Sequence, residues 1–201
     1  MRTYTGEKIS SITAELPAPY AALSAFAAAT GLQPEEWGAL ERRDVDRHGG
    51  VLTVRRTISS GEMVELAKTT RSRRQVPLSS RALDALDELP PRLDTPYLFA
   101  AHRGGPFDLA NFRRRVWAPA IEAAAIATPA RIYDLRSTFA SNALAAGVSV
   151  FELARVMGTS VAMIERHYGT LIEGAGADLA RRLSAFEAEQ ESAETSTAEG
   201  V

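Results

Sequence analysis

The chain has 201 residues, 45% of them hydrophobic, 24% charged and 7% aromatic, which is globular composition with enough length for a buried core. It has no cysteine and three scattered histidines (His48, His102, His167), which exclude a disulfide scaffold and a thiolate metal site and leave no histidine-rich one, so no metal or cofactor is expected. The formal net charge of −2 understates the basic character of the body: after Arg182 come five glutamates (Glu187, Glu189, Glu191, Glu194, Glu199) and no Lys or Arg, and setting them aside leaves 23 basic against 20 acidic residues, a net +3.

Residues 18–30 are Ala-rich with Tyr20, Leu23 and Phe26 at helical spacing, and Gly31 suits a helix stop. Pro34, Glu35 and Glu36 look like the first turn of a second helix carrying Trp37 and Leu40 inward and ending before Asp46. His48-Gly49-Gly50 is a turn. Val51–Ile58 alternates as a half-buried strand does, Ser59-Ser60-Gly61 is a hairpin turn, and Met63–Leu66 returns. Arg74–Leu78 reads as a third strand, with Pro77 marking a sheet edge. Ser79 or Ser80 caps a helix through Leu89. Residues 90–107 are a Pro/Gly-rich connection around Tyr97–Ala100. Asp108 caps a long helix that Pro119 is expected to kink. Helices follow over about 134–146, 150–157 and 160–168, with stops at Gly147 and Gly158 and a cap at Ser160. A last amphipathic helix over roughly 177–187 carries Leu179, Leu183 and Phe186 on one face. The fold class expected is mainly α with a small three-stranded antiparallel β-sheet, an α+β arrangement. No apolar run reaches membrane-spanning length and the opening residues lack the apolar segment of a signal peptide, so a cytoplasmic protein with no membrane partner is expected.

Four segments stand out: Thr30–Trp37; Lys68–Leu78, between two strands; Tyr133–Ala140, opening a helix; and Met157–Ser160 followed by Arg166-His167-Tyr168-Gly169. Taken singly each has a bland reading: a solvated hairpin lysine, an arginine pairing with a nearby acid, a tyrosine packed at a helix end, a triple arginine on a wet face. Taken together, the "TGL…LxxxDVD" segment, the "K…R.VPL" hairpin, the "LRxTFA" helix start, the "MGxS" turn and the late "HYG" resemble the catalytic domain of tyrosine recombinases of the phage integrase family. The resemblance covers roughly residues 10–187.

It implies a catalytic domain over residues 1–187, without the family's preceding core-binding domain; the acidic, Ser/Thr/Ala-rich composition beyond it predicts a disordered tail over 188–201. The resemblance implies metal-free DNA strand cleavage and rejoining through a 3′-phosphotyrosyl intermediate, in which cationic donors meet charge developing on a phosphate. By the same resemblance Tyr168 is the nucleophile, Arg136 the second family arginine and Lys68 the hairpin lysine that protonates the leaving oxygen. Three positions depart from the pattern: Gln33 stands where the first family arginine follows "TGL", Tyr133 where a histidine or lysine precedes the second arginine, and Thr159 where a histidine or tryptophan follows the "MG" glycine. Tyr133 and Thr159 can still donate hydrogen bonds; Gln33 carries no charge. Arg42 and Arg43, about 14–15 Å further along a helix continued from Gln33, are too far to replace it. The expected function is therefore site-specific recombination, impaired at Gln33; the alternative is an inactive DNA-binding or protein-interaction remnant, with a type IB topoisomerase a distant third. Double-stranded DNA is the expected partner, met by Arg71, Arg73, Arg74, Arg113, Arg114 and Arg115 beside Lys68 and Arg136, with affinity that falls as salt rises. The apolar stripe Leu179, Leu183, Phe186 is expected to mediate homo-oligomer contacts on DNA or to fold back on its own core.

Overall fold

The structure, a computed structural model, describes residues 2–66, 73–172, 181 and 183–188. Two helices open it: α1 (Gly6–Ala14), capped by Thr5, and α2 (Ala18–Thr30). The first was not anticipated; its buried Ile9 and Ile12 lie three residues apart on one face. Gly31 ends α2 in the left-handed conformation (φ 65°), and a Cβ there would lie 2.2 Å from the Phe139 ring. The glycine both turns the chain and lets it touch the helix that carries Phe139.

The expected second helix is one turn long, α3 (Pro34–Trp37), followed after Gly38 by a 3-10 turn over Arg42–Asp44. Its intended continuation is drawn off sideways: Leu98 N–H donates to Leu40 O, and Arg42 N–H to Pro96 O. Five short strands follow: β1 (Val45–Asp46), β2 (Val51–Val54), β3 (Arg56–Ser59), β4 (Glu62–Glu65) and β5 (Arg74–Pro77). A three-stranded antiparallel sheet is present with a different membership from the one expected: β1, β2 and β5 form it, with Leu52 opposite Val76 and Val54 opposite Arg74, and β1 takes the place expected of the Met63–Leu66 strand. The single strand read over Val51–Ile58 breaks at Arg55, so that β3 and β4 make a separate two-stranded hairpin with Thr57 opposite Val64.

The rest is helical. α4 (Ser80–Asp87) is capped by Ser79. The run expected from Asp108 comprises α5 (Leu109–Phe112), a π turn over Arg113–Trp117, and α6 (Ala118–Ala123). Pro119 has no N–H for the carbonyl four residues back, and the ladder shifts: Ala118 N–H donates to Arg113 O, five residues back. α7 (Tyr133–Ala145) and α8 (Val150–Met157) follow the sequence reading closely, and α9 (Val161–Ile172) runs through Gly169 past the end expected near residue 168. Residues 183–188 are helical and exposed, as expected of the last helix; Leu179 and the tail beyond Ala188 lie outside the described residues.

Two apolar clusters hold these elements. The larger joins Leu23, Phe26, Trp37, Leu52, Val76 and Leu135; the smaller joins Ala140, Leu153, Met157, Ile164 and Tyr168. α7 contributes to both, so its first turn lies where they meet. Among the described residues no helix is long and apolar enough to cross a membrane, and no group of acidic residues and histidines is arranged to hold a metal ion.

Candidate active site

Arg136 sits in the first turn of α7 and is only 3% exposed. Its guanidinium is fixed by backbone oxygens from two other segments: Nη1 donates to Gly31 O at the end of α2, and Nη2 donates to Met157 O, 2.8 Å, at the end of α8. Among the described residues no carboxylate lies at ion-pairing distance from it. Five N–H donors are available on an arginine, and the two carbonyls leave part of the fork unspent. Burial depresses the affinity of Arg136 for its proton; Tyr133, through its charge and a side-chain hydrogen bond, and then Glu36 partly offset this, and nearby Arg74 reinforces it. A buried, fixed and unneutralised cation is costly to maintain, and an anion is what completes it.

Tyr168 is brought to the same place by α9. It is 5% exposed, and with Arg136, Tyr133, Ser137 and Thr159 it lines one cleft of about 480 Å³. Its phenol is held above the ordinary tyrosine value mainly by burial; the Ser137 hydroxyl and the Arg136 guanidinium pull it back down, and Tyr133 pushes it up. At neutral pH the oxygen therefore keeps its proton and must shed it to act as a nucleophile. Tyr4, buried against Trp117, is raised for the same chief reason.

These shifts carry a consequence for stability. A phenol with a folded-state pKa above its unfolded value adds stability that is complete below the unfolded pKa, about 10, and is lost as pH climbs toward the folded one. Urea-unfolding midpoints are expected to be insensitive to these two groups up to pH 9 and to fall between pH 10 and 11. Tyr168→Phe should make that fall shallower; an unchanged slope would remove Tyr168 from the account.

The other residues singled out in the sequence fall into distinct environments. Tyr133 is 48% exposed at the cleft, and Thr159 also lines it. Gln33 precedes α3, two residues beyond the carbonyl that receives Arg136; its backbone N–H donates to Glu36 Oε2 at 2.9 Å, and it does not line the cleft. Lys68 and Arg71 lie outside the described residues. Arg113, Arg114 and Arg115 are exposed on the π turn, and their side chains make no hydrogen bond or ion pair among the described residues. Arg73 reaches Glu65 at 3.3 Å. Arg74 does not belong on the expected DNA-facing surface. Its guanidinium is buried, with Nη1 and Nη2 each 2.7 Å from a Glu36 oxygen and Nε 2.6 Å from Val156 O. Arg42 and Arg43 are spent on Thr95 O and Glu41, which keeps them from the site for a local reason rather than by distance along a helix.

Ser137 was missed in the sequence although it adjoins Arg136. Arg2 and Arg131 were missed too. Both are exposed and both line the cleft, Arg2 through Nη1 bonds of 2.9 Å to Ala127 O and Pro129 O. Nothing in the local sequence marks them, because they are assembled from the two sides of the fold.

Comparison with known proteins bears on the family and the fold. The model of the phage integrase family matches residues 4–172. The chain is 26% identical, over 95% of its length, to the prophage phiRv2 integrase of Mycobacterium tuberculosis, and spans 53% of that relative. Its fold superposes on the Tn1549 transposon integrase in complex with circular intermediate DNA, with a TM-score of 0.70, 18% identity, and 83% of this chain and 62% of the other covered. It superposes on the XerA recombinase with a TM-score of 0.68 and 20% identity over 89% and 63% of the two chains.

Proposed function

The chain belongs to the phage integrase family, and from that premise we propose that it cuts and reseals double-stranded DNA at a specific site, with Tyr168 as the nucleophile. The carrying observation is the Arg136 guanidinium, buried without a carboxylate partner in the cleft that Tyr168 lines. In the proposed step the Tyr168 oxygen passes its proton to solvent water and bonds to a backbone phosphorus, the bond to the 5′-oxygen breaks, and that oxygen leaves as a hydroxyl after taking a proton from Lys68. The bond energy is kept in the 3′-phosphotyrosyl link, so another 5′-hydroxyl can reverse the step. Arg136, Tyr133 and Thr159 donate to the non-bridging oxygens as their charge grows. Residues 1–187 act as the catalytic domain. Arg71, Arg73, Arg113, Arg114 and Arg115 hold neighbouring phosphates, and a cytoplasmic location goes with this reading.

Leu183 and Phe186 are 52% and 58% exposed, which supports a stripe that meets another copy of the chain on DNA rather than its own core. The second reading, an inactive DNA-binding or protein-interaction remnant, is favoured by Gln33, whose amide offers no charge where the family has an arginine. A radiolabelled suicide duplex bearing the recombination site separates the two. Covalent protein–DNA product from the unmodified chain, absent from Tyr168→Phe, is the expected result; no covalent product, with DNA binding intact, would leave the remnant reading.

A further inference from the structure

Four of the residues around the cleft that holds Tyr168 are basic: Arg136 at its floor, His167, and Arg2 and Arg131. Asp134 is the one acid on the lining, and its Oδ2 already accepts the Arg131 backbone N–H at 2.9 Å, so the cleft keeps an excess of positive charge. Arg2 is anchored through one nitrogen to the carbonyls of Ala127 and Pro129, which leaves the rest of its fork toward solvent. The loop that carries Arg131 is also fixed: Tyr4 Oη donates to Arg131 O at 3.1 Å, and Trp117 Nε1 donates to Ala130 O at 3.1 Å. The Arg131 guanidinium makes no hydrogen bond or ion pair among the described residues. Two exposed guanidinium groups on pinned backbone, one with no internal partner, form an anion site that no family motif in this chain assigns.

We infer that Arg2 and Arg131 bind a second phosphate of the same DNA strand, adjacent to the one held at Arg136, and so set the position of the strand across Tyr168. The groups that act on the Tyr168 phenol are Ser137, Arg136 and Tyr133; Arg2 and Arg131 are not among them. In this arrangement they serve a flanking phosphate, while Arg136, fixed between Gly31 O and Met157 O, serves the one beside Tyr168. Guanidinium is suited to this, because its planar fork meets two phosphate oxygens at once.

This inference rests on the cleft being the place where DNA phosphate binds, and the test separates the two ideas. The probes are the dinucleotide TpT, with one phosphate, and the same dinucleotide carrying an added 5′- or 3′-terminal phosphate, titrated into the full chain and followed by NMR. One of the two added phosphates is expected to tighten binding about tenfold or more, the scale of charge-assisted hydrogen bonds. In the doubly substituted Arg2→Ala, Arg131→Ala protein that gain should shrink below about threefold while TpT itself binds as before; Arg131→Lys should restore part of it. A gain that survives the double substitution, or no gain in the unmodified chain, overturns the second site. Arg136→Lys, which keeps the positive charge but loses the fork, is expected to weaken all three probes alike in protein whose NMR spectrum shows it folded. If it weakens none of them, the cleft is not the phosphate site and the proposed function fails with this inference.

Discussion

Replacing Gln33 with arginine is expected to raise the rate of covalent trapping on a suicide duplex by about 10²–10³-fold, the usual worth of one preorganised donor aimed at developing charge. The position suits the test. Gln33 lies two residues past Gly31, whose carbonyl receives Arg136, and its backbone is held by Glu36 at the start of α3. A guanidinium on a backbone fixed so near Arg136 gains little freedom to wander, and Glu36 is already occupied by Arg74 on both oxygens. The added charge should appear in the chemical step more than in binding, since the phosphate gains charge only as the fifth oxygen approaches. Single-turnover rates at saturating protein, with affinity measured separately, decide the matter. Gln33→Met serves as the uncharged control. A rate unchanged by Gln33→Arg would put the deficit in the Tyr133 or Thr159 position, or in the Lys68 segment.

How far this site was readable in the sequence depended on the range of the interactions that build it. Helices α2, α7 and α8 were legible because their apolar spacing and stops are local: Gly31 and Gly158 both take positive φ, 65° and 64°, and end their helices where glycine allows it. The first helix was illegible because its short apolar face, Ile9 and Ile12, carries little periodic signal. α3 ended early because Leu40 and Arg42 bond to the 96–98 segment, a pairing no window of sequence shows. Charged residues were the least legible of all. Arg74 and Arg113 look alike in a sequence, yet one is buried against Glu36, 38 residues away, and the other is exposed on a π turn. Tyr168 and Arg136 were found through the motif pattern they share with a family. Arg2 and Arg131, which lie in the same cleft, have no such pattern, and only the fold brings them in.

Arg74→Met is expected to destabilise the fold by about 3–5 kcal/mol, the cost of leaving a buried charge without its partner. Arg74 joins three pieces of the site: β5, on which it sits; Glu36 at α3; and Val156 O near the end of α8. Its guanidinium also packs so closely on Gly158 that a Cβ there would lie 2.7 Å from Nη1, so the "MG" turn is shaped around it. Glu36 in turn holds the Gln33 backbone. Methionine keeps most of the side chain's volume but leaves the Glu36 carboxylate buried and unpaired. Adding Glu36→Leu removes that carboxylate, and the double variant should recover most of the lost stability, because a buried ion pair often contributes little more than well-packed apolar groups of similar size. Denaturant midpoints across the four proteins of the cycle measure this; a double variant as unstable as the sum of the two singles would mean that the pair acts through packing alone. Activity should not recover with stability. Glu36 also helps keep Arg136 charged in its buried setting, and the end of α8, whose Met157 carbonyl orients the Arg136 fork, loses its tie to β5. A stable double variant that still fails to trap DNA would therefore separate what the pair does for the fold from what it does for the site.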